Sequence, residues 1–286
     1  MTHAASLRSR LAGGESILMP GVWDPLSALL AQRAGFHTVF VSGFAVAGTL
    51  LGEPDIGIVD QANMADVARR VCAAAPELCV VVDADTGYGD IHDVQITTEL
   101  WETAGASGMF LEDQVWPKKC GHMDGKQVVP TEEWLVKLRT VVNTRSDIFL
   151  TARTDARAVN GLKDALERGR MARDLGVDAV FVEAPQSVNE LDEIAAALPD
   201  VVLVANMVEK GKTPLLTPSE LADRGFTLIV SPLSGLLSAT KALGEAYERL
   251  QSFGTLRDHL STITAFDDFT DIVGLPKHLA NDAEHR

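Results

Sequence analysis

The chain has 286 residues, 46% of them hydrophobic, and a formal net charge of −15. That length can bury one large core, and no run approaches the ~18–20 uncharged apolar residues that span a bilayer. The acidic balance argues against nucleic acid, whose phosphates need clustered Lys and Arg. A small anionic ligand stays compatible, because a few local cations or a divalent ion set the potential of a cleft.

In chain order, MTHAASLRSRLAGGES at the N-terminus lacks the apolar core of a secretory signal. Short apolar runs then recur at 16–20 (SILMP), 38–43 (TVFVSG), 78–85 (LCVVVDAD) and 108–113 (GMFLED). Four more follow at 147–154 (DIFLTART), 178–184 (DAVFVEA), 201–206 (VVLVAN) and 227–234 (TLIVSPLS). Between them lie stretches with helical spacing, such as 24–35, 161–176 and 219–225. Strands alternating with helices imply βαβ units and a parallel sheet, and continuous Val/Ile/Leu strands are buried on both faces. Eight such units predict a (β/α)8 TIM barrel as one domain over 1–286. An open doubly wound sheet is disfavoured, since neither G-x-G-x-x-G nor a P-loop occurs.

After the last strand, 235–251 and 255–270 read as helices, more than an eighth helix requires. Extra apolar helices predict an oligomerising extension over 235–286. Cys72, Cys79 and Cys120 show no zinc-type spacing, and their odd number suits a reducing cytoplasm.

In a barrel, chemistry collects just past the strand C-termini. Those ends read Trp23/Asp24, Ser42-Gly43, Asp83/Asp85, Glu112/Asp113, Arg153/Asp155, Glu183, Asn206 and Ser231/Ser234. Asp83 and Asp85 stand two apart, so an extended strand would aim both at one cation, with Glu112 as a third acid. Hard oxygen donors suit Mg2+ or Mn2+. The plainer alternative is an Asp that caps the next helix.

EDQVWPKKCGH (112–122) sets Cys120 beside Lys118, Lys119 and His122, cations that would draw the thiol toward thiolate. The alternatives are a solvated Lys-rich loop or a zinc site, and the second lacks a further ligand pair. Arg153 in TARTDAR could hold a carboxylate bidentately, or form a structural ion pair with Asp155 or Glu183.

Taken together, VSGF (41–44), LGEPDIG (51–57), DADTGYGD (83–90), LEDQVWPKKCGH (111–122), TARTDA (151–156), FVEA (181–184), ANMVEKGKTPLLT (205–217) and SPLSG (231–235) resemble the isocitrate lyase / phosphoenolpyruvate mutase superfamily. Methylisocitrate lyase, dimethylmalate lyase and carboxyphosphonoenolpyruvate phosphonomutase are the members it looks most like. The resemblance implies a barrel that swaps its last helix with a neighbour, usually in a homotetramer. It implies Mg2+ (or Mn2+) held by Asp55, Asp83, Asp85 and Glu112, some through water. It also implies a 2-oxo or 2-hydroxy acid whose carboxylate is held by Ser42, Gly43 and Arg153. Phe44, Gly121, Asn206, Thr213, Pro232 and Ser234 would complete the substrate site. Glu183 matches an active-site position. In lyase members the loop matching 116–126 closes over the substrate and its cysteine is the general acid, with Lys118 and His122 stabilising charge.

Phe40, Phe44 and SGLLSA (234–239) depart from methylisocitrate lyases and leave fewer donors for extra carboxylates. The expected activity is therefore Mg2+-dependent carbon–carbon cleavage of a 2-hydroxy di- or tricarboxylate. A phosphonate mutase or an oxaloacetate hydrolase/decarboxylase would use the same acids. A non-catalytic metabolite-binding barrel would lack the acids or the loop, and both are present.

Overall fold

The structure, a computed structural model, describes residues 1–285. Eight parallel strands close into a barrel in sequential order, β1 Ile17–Val22, β2 Thr38–Val41, β3 Cys79–Asp83, β4 Gly108–Glu112, β5 Phe149–Thr154, β6 Ala179–Val182, β7 Val202–Asn206 and β8 Phe226–Ser231. Residues β-branched at Cβ pack well on a pleated surface, which is why these Val/Ile-rich runs become strands. β1 closes the ring by pairing with β8 through Pro20↔Ser231, so the strand runs past Pro20, where the sequence pattern had ended it.

Side-chain alternation sorts the core into two layers. Met19, Phe40, Val81, Phe110, Phe181, Val204 and Val230 point into the barrel. Leu7 and Leu11 of the helix His3–Ala12 join that cluster. Val39, Val80, Val82, Met109, Leu111, Leu150, Val180 and Leu203 face outward and pack in the larger cluster shared with the surrounding helices.

The helices Pro25–Arg33, Leu162–Asp174 and Pro218–Ala222 lie where periodicity places them. Asp24, one of the strand-end polars, caps the first of these through a capping box with Ser27, so there the plainer reading holds. The long helix Ser234–Phe253 matches expectation, but 255–270 is not one helix. A 3-10 turn at Arg257–Thr262 is followed by extended backbone at Ile263 and Ala265, then by Phe266–Ile272 and Leu275–Glu284. Three β-branched residues in a row, Thr262, Ile263 and Thr264, disfavour continuous helix there. None of these tail elements buries a residue, and Phe253 and Phe266 are 66% and 80% exposed. The last residue of the expected extension, Arg286, lies outside the described residues. No helix among the described residues is long and apolar enough to cross a membrane.

Candidate active site

Two residues beyond each inward-facing apolar side chain, the same alternation delivers a ring at the C-terminal mouth. Phe40 leads to Ser42, Val81 to Asp83, Phe110 to Glu112, Phe181 to Glu183, Val204 to Asn206 and Val230 to Pro232. Beneath the ring, Phe110 packs on Phe40 (centroids 4.8 Å apart) and on Phe181 (5.8 Å), giving an apolar floor. Above that floor lies a cavity with about 50 Å³ open to the centres of water molecules. One water needs ~10–15 Å³ by this measure, so a small acid of a few heavy atoms fits. Ser42, Phe44, Asp55, Asp83, Cys120, Gly121, His122, Arg153, Glu183, Asn206 and Pro232 line it, with Val208 and Leu233.

Four acids gather on one side. Asp83 ends β3, but Asp85 has left the strand, with φ 44°. Their convergence comes from a turn rather than from strand alternation. The Asp85 N–H donates to Asp83 Oδ1 (3.2 Å), and the Asp85 carbonyl accepts from the Glu112 N–H (2.8 Å). The Lys118 ammonium, 3% exposed, lies 2.5 Å from Asp55 Oδ1 and 2.8 Å from Asp85 Oδ1. Burial opposes its charge, but Asp85, Asp55, Asp83 and Glu112 outweigh burial and hold its pKa well above the ordinary lysine value. Burial pushes Asp85 up to about 7 and Glu112 well above the usual carboxylate range. Neither Glu112 oxygen receives a hydrogen bond, although Arg153 Nη1 lies 3.0 Å from Oε2 as an ion pair. Among the described residues no three acids, His or Cys stand as a preformed metal cage, because the ammonium lies among them. The donor set still fits a hard divalent cation, being all carboxylate oxygen and including buried oxygens without a donor.

Arg153 is shared by acids on three sides. Its Nε lies 3.0 Å from Asp155 Oδ2, its Nη2 3.4 Å from Glu183 Oε2, and its face covers Phe181 at 5.6 Å. The structural ion pairs weighed for Arg153 therefore exist, and it also faces the cavity. Asn206 Nδ2 donates to both Glu183 oxygens (3.4 and 3.3 Å), while its Oδ1 is buried without a partner. His122 Nδ1 accepts the Lys212 backbone N–H at 3.0 Å, which puts the proton of the neutral ring on Nε2, 3.5 Å from Glu183 Oε1. Burial lowers the His122 pKa, so that neutral ring is the form at pH 7.

The 113–130 segment roofs the cavity. An antiparallel bridge between Gln114 and Val128 closes its neck, and the Cys120 N–H donates to the Asp55 carbonyl (3.1 Å). A Cβ on Gly121 would lie 2.5 Å from Glu183 Oε2, and one on Gly211 2.7 Å from His122 Nδ1, so both glycines permit the roof to seat. Burial raises the Cys120 pKa to about 11, against the thiolate that its neighbours suggested. The reason is direction: Lys118 turns into the acids, Lys119 reaches the Gly125 carbonyl (3.0 Å), and His122 is neutral.

Gly43, Asp85, Glu112, Lys118, Thr213 and Ser234 stand outside the cavity lining. The Gly43 N–H donates to Asp83 Oδ2 (3.4 Å), because Ser42 and Gly43 open a short helix, Gly43–Val46, rather than extending β2. Thr213 is buried with an unpartnered hydroxyl. Ser234 hydrogen-bonds Glu209, and its Oγ lies 2.5 Å from Ser231 Oγ. The sequence reading missed Phe110 and Phe181, although both precede strand-end acids by two residues. It also missed Tyr88 and Lys126. Tyr88 packs between Trp101 and Trp116, and its buried hydroxyl has no partner; burial first, and then the four acids, hold its pKa well above the ordinary tyrosine value.

A closed parallel barrel thus gathers carboxylates, a guanidinium and a roofing thiol at its C-terminal mouth, the end where barrel enzymes place their chemistry. The family model described as phosphoenolpyruvate phosphomutase matches residues 7–251, and the chain belongs to that family. The petal death protein of Dianthus caryophyllus is 47% identical over 262 residues, 91% of this chain and 82% of that protein. The carboxyvinyl-carboxyphosphonate phosphorylmutase of Arabidopsis thaliana is 47% identical over 264 residues, 91% and 78% of the two chains. Among solved structures, 2,3-dimethylmalate lyase, a PEP mutase/isocitrate lyase superfamily member, superposes with TM-score 0.95 at 34% identity, covering 100% of this chain and 96% of that one.

Proposed function

We propose that the protein is a Mg2+-dependent carbon–carbon lyase that cleaves a short 2-hydroxy dicarboxylate to pyruvate or a related 2-oxo acid and a second carboxylate. The observation that carries this reading is the seat of Cys120 in the roof of a cavity that Arg153 also lines, where burial pushes the thiol up to about 11. Asp55, Asp83, Asp85 and Glu112 would hold the ion, some through water. When bound, the ion would polarise the substrate's 2-oxygen and favour the developing carbonyl.

Arg153 receives the substrate carboxylate, and His122 Nε2–H and Asn206 offer further polar contact. As the 2-hydroxyl gives its proton to one of the mouth carboxylates and becomes the carbonyl, cleavage leaves the bonding electron pair on the departing carboxylate fragment. Cys120 Sγ then gives that carbon its proton, under a roof that keeps water out. A dicarboxylate is favoured over a tricarboxylate because Arg153 is the one guanidinium lining the cavity among the described residues, with Phe44, Val208 and Leu233 nearby.

A second reading, a phosphonate mutase or an oxaloacetate hydrolase/decarboxylase, draws support from the 47% identical phosphorylmutase. Assay of the purified protein on dimethylmalate, methylisocitrate, oxaloacetate and phosphonopyruvate separates the two. Cys120→Ser should lower turnover of the preferred hydroxy acid ~10²–10⁴-fold with ion binding intact. Unchanged turnover removes the thiol from the reaction, and failure to cleave either hydroxy acid removes the lyase reading. The exposed apolar tail supports a homo-oligomer, with a tetramer expected by light scattering and a smaller species once residues beyond 253 are deleted.

A further inference from the structure

We propose that Lys126 is a positioning residue that locks the 113–130 segment over the cavity, acting through Asp155 on the guanidinium of Arg153. Lys126 belongs to the roof, yet its side chain is only 1% exposed. Its Nζ donates to the Gly121 carbonyl, between Cys120 and His122, and to Asp155 Oδ1 at 2.6 Å. Asp155 also receives Arg153 Nε on Oδ2 (3.0 Å) and Nη2 on Oδ1 (3.3 Å). Its backbone N–H donates to Asp113 Oδ1 (2.8 Å), at the root of the same segment. One buried carboxylate thus joins the base of the roof, its interior and the cavity's guanidinium.

The other cationic ties of the segment do not do this: the buried Arg168 meets Asp113 Oδ2 (3.1 Å) and the Val129 carbonyl (3.0 Å), at the base of the roof only. Lys212 pairs with Asp124, whose side chain is 94% exposed, and such surface pairs hold little. Lys118 lies among the acids assigned to the ion, so its position depends on ion loading. Lys126 touches none of those acids in its hydrogen bonds.

A buried ammonium is tolerated only with an anion beside it. Cys120, Gly121 and His122 line the cavity, so lifting the roof widens the way in for a ligand. Lifting takes Lys126 into water and leaves Asp155 to Arg153 alone, which holds the guanidinium more tightly to the protein. With the roof down, Asp155 divides its charge between two cations, and Arg153 is freer to meet a ligand carboxylate. Seating the roof and readying Arg153 are then one event. This coupling rests on the proposed role of Arg153, whereas the lock itself does not.

The test compares wild type, Lys126→Met and Lys126→Arg by hydrogen–deuterium exchange with Mg2+ and oxalate present, alongside steady-state kinetics. Met keeps the aliphatic stem and loses the charge. Amides of 113–130 in Lys126→Met should exchange about tenfold faster or more, with the barrel strands unchanged and Lys126→Arg restoring at least part of the protection. The kcat should fall further than the KM rises, since roof closure serves the reacting state. Wild-type protection in Lys126→Met overturns the lock. So does a Lys126→Met chain whose whole barrel unfolds, because Lys126 would then be structural. Lost protection in a protein that cleaves none of the four acids leaves the lock standing and removes the lyase reading instead.

Discussion

The strand-end ring and the roof segment bring different kinds of order to the same cavity. Asp83, Glu112 and Arg153 stand on strands whose backbone is fixed by neighbours on both sides, with Glu112 registered against Arg153. Cys120 and His122 stand on a segment with almost no regular structure, held by the Gln114–Val128 bridge, a few backbone hydrogen bonds, two buried ammonium groups, the Arg168 guanidinium on Asp113 and close approaches at glycine. The carboxylates and the guanidinium are thus placed on the rigid part, and the thiol proposed as proton donor on the roof. A barrel supplies this division directly, because its loops can change while its strands stay put.

Substitutions that affect one side and spare the other sharpen the comparison. The largest effect is expected at Arg153→Met, where losing a buried bidentate donor should lower kcat/KM about 10³-fold, roughly 4 kcal/mol of transition-state stabilisation. Roof protection from exchange should be altered too if Asp155 links the two sides; an undisturbed roof would show them to be independent. Next comes Gly121→Ala. Its Cβ would lie 2.5 Å from Glu183 Oε2, so the roof cannot seat and kcat should drop on the order of 100-fold, while Mg2+ binding by calorimetry stays as in wild type. Weakened ion binding would place the fault in the ring.

The pH dependence gives a subtler test. Burial pushes the Cys120 thiol up to about 11, so as a proton donor it should not limit kcat at neutral pH and should be lost only as pH rises through that value. A rate that climbed as the thiolate formed would indicate a nucleophile instead. The smallest effect belongs to Asp24, a strand-end acid that caps a helix. Asp24→Ala should cost about 1 kcal/mol in denaturant unfolding and leave kcat/KM unchanged.

The difference between ring and roof also explains what could be read from the sequence. Periodicity of two carries a strand's facing to its last residue, so Ser42, Asp83, Glu112, Arg153, Glu183 and Asn206 were legible as a convergent set before any fold was known. Phe110 and Phe181 follow from the same arithmetic, which was applied only to the polar positions. No periodicity governs the roof. Lys118, Lys119 and His122 are neighbours of Cys120 in sequence, but their charged ends go to the acids, to a carbonyl and to a neutral tautomer, so proximity gave the wrong sign for the thiol. Lys126 was invisible for a related reason, since its partner Asp155 lies 29 residues further on. Asp24 shows the limit of reading strand ends as chemistry, because a carboxylate there serves a helix just as well. The tail helix over 255–270 failed on local propensity, which a run of Thr-Ile-Thr overrode.

The Lys118 ammonium among Asp55, Asp83, Asp85 and Glu112 bears on how the protein would meet the ion proposed for it. In small zinc-dependent domains the metal is a component of folding, and a chelator unravels them. This barrel mouth carries its own counter-charge, so it can be built and stored without a cation. Stripping divalent ions should silence the protein while leaving its melting temperature nearly where it was, and adding them back should need no refolding.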